Sequence, residues 1–135
     1  MSYTLSFTTL HPYDAGKPGI DLAVVLRANQ RRTGFIAKLD TGASHCIFER
    51  SYGEDLLLDV EAGYELKIST ATGTFIVYGH DVTLSVGEFD FDVVVYFAKE
   101  ATFTRNVLGR NGFLALVRLG LIDYDGRLFL SRYDT

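Results

Sequence analysis

Apolar residues recur at every second position along most of this chain, and that period places alternate side chains on opposite faces of an extended backbone. The pattern predicts strands at Ile20-Asp21-Leu22-Ala23-Val24-Val25-Leu26 and at Phe35-Ile36-Ala37-Lys38-Leu39. From Thr74 to Val86 a long run sets Val82, Leu84 and Val86 against Thr83 and Ser85, and Phe89, Phe91, Val93 and Val95 repeat it against Asp90 and Asp92. Val86-Gly87-Glu88 between those runs is a hairpin signal, and Asp125-Gly126 introduces a last strand, Leu128 to Tyr133. The fold class expected is therefore all-β.

Two stretches depart from the period. Glu49 to Leu57 mixes helix formers at a spacing near four and gives way to Asp59-Val60-Glu61-Ala62-Gly63, which predicts a short helix and a turn. From Asn111 to Leu119, Phe113, Leu114, Leu116, Val117 and Leu119 form an apolar stripe with Asn111 as N-cap and Gly120 as stop, which predicts a second helix. The sum is a small β-barrel with one or two short α-helices. At 135 residues, with no repeat, low-complexity tract or linker, residues 1–135 are expected to form a single domain.

Hydrophobic residues are 47% of the chain and charged residues 22%, enough apolar mass for a core. The net charge of -4 gives no broad positive field, and the one basic pair, Arg31 and Arg32, reads as a solvated turn, so nucleic acid is not an expected partner. A single cysteine, Cys46, excludes an internal disulfide. Met1 to Phe7 lacks a cationic region followed by an apolar core, and no run approaches the ~18 apolar residues of a membrane span. A cytoplasmic protein without a membrane partner is expected.

The sharpest local feature is Phe35 to Ser44, in which an apolar strand delivers Asp40 into the turn Thr41-Gly42-Ala43. A carboxyl so placed is expected to be partly buried, with backbone N–H groups and the Thr41 hydroxyl as donors to it. Asp-x-Gly is also an ordinary turn, so this feature does not by itself assign catalysis. The second feature is Asn106-Val107-Leu108-Gly109-Arg110-Asn111, where a strand carrying two apolar residues ends at a glycine that a close backbone approach would demand.

Asp-Thr-Gly-Ala-Ser at Asp40 to Ser44 followed by Val107-Leu108-Gly109-Arg110-Asn111, in that order and at that separation, resembles the retropepsin family, the retroviral-type aspartic proteases, in a bacterial or cellular member. The likeness extends over roughly residues 19–133 and includes a flap-like hairpin around Ser69 to Ile76. It implies a retropepsin-like closed β-barrel, half of an acid protease, with Asp40 as catalytic carboxylate. It also implies that Thr41, Gly42 and Ala43 form the active-site turn, Thr41 gripping the partner's turn and the Gly42 backbone meeting substrate. Thr72, Gly73 and Thr74 would form the tip of a closing flap, Val107 and Leu108 would wall apolar side-chain pockets, and Gly109, Arg110 and Asn111 would complete the structural motif.

The reaction implied is hydrolysis of a peptide bond by water held between two carboxyl groups that share one proton, with no cofactor, metal or covalent intermediate. No second Asp-Thr-Gly or Asp-Ser-Gly occurs, and Asp123-Tyr124-Asp125-Gly126 reads as a turn before the last strand. A two-fold homodimer, each subunit contributing Asp40, is the economical arrangement, and its substrate would be an extended, apolar peptide or protein segment. A non-catalytic dimerisation or peptide-binding module is the alternative, and a monomeric small-molecule barrel a remote third.

This sequence also departs from the family's pattern. Viral members carry an acid where Ser44 stands, paired with the arginine matching Arg110, and the chain has added length before Gly19 and between Phe48 and Leu66. His45, Cys46 and His80 have neither the spacing of a metal site nor that of a nucleophile pair. His11 reads as an exposed loop residue, and the eight tyrosines and ten phenylalanines as core and interface mass.

Overall fold

The computed structural model describes residues 1–135. In chain order the elements are β1 (Thr9–Pro12), β2 (Asp21–Ala28), β3 (Arg31–Leu39), β4 (Ile47–Phe48), α1 (Arg50–Asp55), β5 (Tyr64–Thr70), β6 (Gly73–Val86), β7 (Phe89–Ala98), β8 (Val107–Leu108), β9 (Val117–Ile122) and β10 (Arg127–Arg132). Single turns of 3-10 helix lie at Val60–Ala62, Leu114–Leu116 and Asp123–Asp125.

Seven strands form one sheet in the order β2-β3-β8-β4-β7-β6-β5, and β2 also pairs with β6. That extra pairing, Val24↔Val86 to Arg27↔Thr83, closes β2, β3, β8, β4, β7 and β6 into a barrel and leaves β5 as the outer arm of a hairpin. The alternation seen in the sequence sorts the two faces. Leu22, Val24 and Leu26 of β2 and Val82, Leu84 and Val86 of β6 point inward and are buried, as are Phe91, Val95 and Phe97 of β7. Each such side chain contributes about 1.5–3 kcal/mol of transfer free energy. A second sheet, β1-β10-β9, docks Val117, Leu128 and Leu130 into the same core.

The turns follow local chemistry. Asn29 and Gln30 join β2 to β3 with φ of 53° and 62°, the mirror-image geometry that suits right-twisted strands. Arg31 and Arg32 are exposed but lie at the start of β3 rather than in the turn. Gly87, at φ 58°, supplies the left-handed position between β6 and β7. The expected short helix is α1, held close to the barrel because Gly53 has no side chain to strike the Phe97 ring.

The expected helix over 111–119 does not form. Asn111 pairs with His45 in a parallel bridge, Gly112 takes φ 101°, and only Leu114–Leu116 coils before β9 begins at Val117. Val117, Leu119 and Leu121 also alternate, and pairing with β10 through the Asp125-Gly126 turn satisfies more backbone than one isolated helical turn. Gly120 is therefore no helix stop. It sits mid-strand opposite Phe129, where a Cβ would come within 2.8 Å of the Phe7 ring.

Candidate active site

The pairing of β3 with β8 builds the site. These strands run parallel with Lys38 beside Val107 and Leu39 beside Leu108, and the chain then turns outward at Asp40. The Asp40 N–H donates to the Leu108 carbonyl at 2.9 Å and the Ala43 N–H to the Asp40 carbonyl at 3.2 Å. The carboxyl group is half-buried, with Oδ1 accepting the Gly42 N–H at 2.9 Å and Oδ2 without a partner in the chain. The donor is thus the backbone of Gly42, and the Thr41 hydroxyl makes no bond to Asp40.

The second motif is bonded to the first. Arg110 N–H donates to the Ala43 carbonyl and Asn111 N–H to the Ser44 carbonyl, both at 2.9 Å. Gly109 passes so close beneath the turn that a Cβ there would lie 2.3 Å from the His45 carbonyl oxygen and 2.7 Å from that of Ala43, so any side chain would force the two segments apart. Residues 40–44 and 107–111, far apart in sequence, are therefore one hydrogen-bonded substructure. Thr41 and Gly42 are exposed at its tip and Ala43 is half-buried.

Leu108 is 0% exposed and belongs to the core, so it does not wall a pocket as expected; its neighbour Val107 is half-buried and meets open space. Arg110 is exposed, and no carboxylate pairs with it where Ser44 replaces the familiar acid. Thr72, Gly73 and Thr74 lie exposed at the end of the β5–β6 hairpin, where Thr70 Oγ1 donates to the Gly73 carbonyl at 3.0 Å and Gly73 takes φ 146°. Phe75 in the stem of that hairpin meets Phe103, on the loop entering β8, with ring centroids 5.0 Å apart.

Cys46 is buried, and burial pushes its thiol up to about 11 against an opposing hydrogen bond from the Gly109 backbone, so little thiolate forms near neutrality. His45 packs edge-on against Tyr96, and His80 bonds the Val60 carbonyl at 2.8 Å. No three His, Cys, Asp or Glu side chains gather as a metal site. Asn106 is a residue whose part sequence reasoning missed. Its side chain accepts the Glu49 N–H at 2.9 Å and donates to Glu49 Oε2 at 2.6 Å, while its carbonyl accepts the Lys38 N–H at 2.9 Å. Its position directly before the apolar pair was the available signal.

The aspartyl protease family matches residues 24–111, a span holding both motifs and well over half of the chain. No curated protein sequence matches. Among solved structures, a retropepsin-like aspartic protease from Rickettsia conorii superposes with TM-score 0.62 at 17% identity, covering 91% of this chain and 97% of that one. EIAV protease complexed with the inhibitor HBY-793 superposes with TM-score 0.54 at 18% identity, covering 70% and 84% respectively. With both motifs inside the matched span and a closed barrel of the same fold, the chain belongs to the aspartyl protease family and has the retropepsin-like architecture.

Proposed function

We propose that the protein is an aspartic endopeptidase acting as a symmetric homodimer, residues 1–135 forming one protease domain and each subunit supplying Asp40. The observation that carries this reading is the Asp40 turn, with one carboxyl oxygen fixed by Gly42 and the other free, in a chain that has no second such turn. Asp123–Asp125 form a 3-10 turn closed by Gly126 in the β9–β10 hairpin, a different setting from the Asp40 turn.

Two Asp40 carboxyls brought together at a two-fold axis cannot both ionise and would share one proton. The ionised member takes a proton from water lying between them while the protonated member delivers its own proton to the scissile carbonyl oxygen, giving the tetrahedral diol. As the C–N bond breaks, the carboxyl that took the water's proton passes it to the leaving amine, and the other regains a proton from a diol hydroxyl. Thr41 and Gly42, exposed at the tip, are placed to meet the partner's turn and the peptide, and the hairpin carrying Thr72, Gly73 and Thr74 is suited to fold over a peptide bound as an added strand. Val107 offers apolar surface to a substrate side chain.

An exposed sheet edge supports dimerisation. Tyr133 N–H donates to the Leu116 carbonyl, so alternation turns the backbone groups of Arg118, Gly120 and Ile122 toward β10 and leaves those of Val117, Leu119 and Leu121 facing outward. A six-residue edge that exposes Leu121 and Ile122 invites pairing with a second copy. No helix is long and apolar enough to cross a membrane, and the proposal includes a cytoplasmic setting, which a lone, buried, unlinked Cys46 suits.

The test is cleavage of a mixed peptide library by wild type and Asp40→Asn across pH, with solution mass measured alongside. Loss of general base catalysis should cost the variant roughly 10²- to 10⁴-fold in rate. Equal cleavage by both would remove Asp40 from the mechanism, and a stable wild-type dimer without cleavage would favour the peptide-binding module instead.

A further inference from the structure

Beside the Asp40 turn, a cleft of about 320 Å³ opens between the end of β3 and the loop entering β8. Ile36 and Val107 supply its apolar surface, and Asp21, Lys38, Arg105 and Asn106 its polar groups. Lys38 lies two residues before Asp40 and pairs with Val107, so the cleft sits on the two strands that lead into the candidate catalytic turn. Ala37 is buried and Lys38 exposed, so alternation carries the lysine out of the barrel on the side where the chain leaves for Asp40.

The charges are unevenly satisfied. Lys38 Nζ donates to Asp21 Oδ1 at 2.9 Å and to the Pro18 carbonyl at 2.8 Å, so its charge is matched and its position fixed. Arg105 is exposed and forms no ion pair within the chain, although the next residue, Asn106, is anchored through both its side chain and its backbone. Two cations therefore face one carboxylate, and the guanidinium is the one left over. Ile36, 56% exposed, is a large apolar side chain beside it with no covering element.

We infer that this cleft is a substrate subsite that selects a glutamate side chain, its methylenes lying on Ile36 and Val107 and its carboxylate meeting Arg105. The inference rests on the peptidase reading and narrows its substrate: where the sequence suggested apolar segments, one position takes an acid. An extended peptide crossing the Asp40 turn sends alternate side chains to the same wall, so one of them reaches this cleft. A charge-assisted hydrogen bond to an otherwise unpaired guanidinium should favour glutamate over its uncharged amide by about tenfold.

The experiment walks Glu, Gln and Lys through each position of nine-residue peptides of apolar background. Wild type is assayed for kcat/KM, and Asp40→Asn for binding by fluorescence anisotropy. At one position Glu should exceed Gln by about tenfold in both readouts. Arg105→Gln should abolish that ratio and Arg105→Glu should reverse it toward Lys. Because each is a ratio within one sample, a partly folded variant does not disturb it. Glu binding no better than Gln at every position, or a Glu preference that survives Arg105→Glu, overturns the subsite. Glu-selective binding without any cleavage would sustain the subsite while the peptidase reading failed, and cleavage without Glu selectivity would do the reverse.

Discussion

Replacing Gly109 by alanine tests whether the two motifs are one structural unit. The new Cβ would lie 2.3 Å from the His45 carbonyl oxygen and 2.7 Å from that of Ala43. Both are backbone atoms, and no side-chain rotation relieves the clash. Relief requires a shift of about 1 Å between residues 107–111 and the Asp40 turn, and overpacking of this kind costs about 1–3 kcal/mol. The same shift strains the bonds from Arg110 to Ala43 and from Asn111 to Ser44, both at 2.9 Å. Each is worth about 1 kcal/mol, so the expected loss is about 3–5 kcal/mol, a large part of the ~5–15 kcal/mol by which domains are stable. At 135 residues that corresponds to a fall in Tm of roughly 10–18 °C. Urea and thermal unfolding should be followed at one protein concentration, because dimer formation would itself shift the midpoint. Gly42→Ala is the control: its Cβ would meet only Asp40 Oδ1, at 3.3 Å, and its stability should stay within about 1 kcal/mol of wild type. A Gly109→Ala protein as stable as that control would refute the arrangement of residues 107–111 beneath the turn.

Three further outcomes are expected. Asn106→Ala strands the Glu49 N–H and should lower stability by about 1–3 kcal/mol in urea titrations. Leu121→Pro removes an N–H that faces out of the sheet, so the subunit should fold as before while sedimentation shows a shift toward monomer and cleavage per subunit falls. The Cys46 thiol, held near 11 in the folded chain, keeps its proton where the unfolded thiol, near 8.5–9, has lost it; stability should therefore decline from about pH 9 toward pH 11, and Cys46→Ala should flatten that part of the profile.

The long strands were legible because β2, β3, β6, β7 and β10 each bury one face, so that burial wrote a period of two into their residues. Strand β1 escaped notice because four residues ending in Pro12 carry too little alternation, and β4 because two residues carry none. Barrel closure through β2 and β6 depends on contacts some sixty residues apart, which no local pattern encodes. The misread stretch, residues 111–119, has apolar residues compatible with either period, and the pairing of β9 with β10 decided it. Gly109 stood out because only a close backbone approach explains a glycine between buried Leu108 and the turn partner Arg110. Lys38 and Arg105 did not, since a lysine at the end of an apolar strand and an arginine in a polar loop look unremarkable until the fold puts them on one cleft.

The central claim is that catalysis needs the Asp40 carboxyl of both subunits. Wild type should be mixed with an equal amount of Asp40→Asn, allowed to exchange subunits, and assayed for cleavage per total protein. Random pairing leaves about a quarter of the dimers with two intact carboxyls, so activity should fall to about a quarter of that of wild type alone at the same total concentration. Activity that stays at about half, as independent subunits would give, contradicts the shared site.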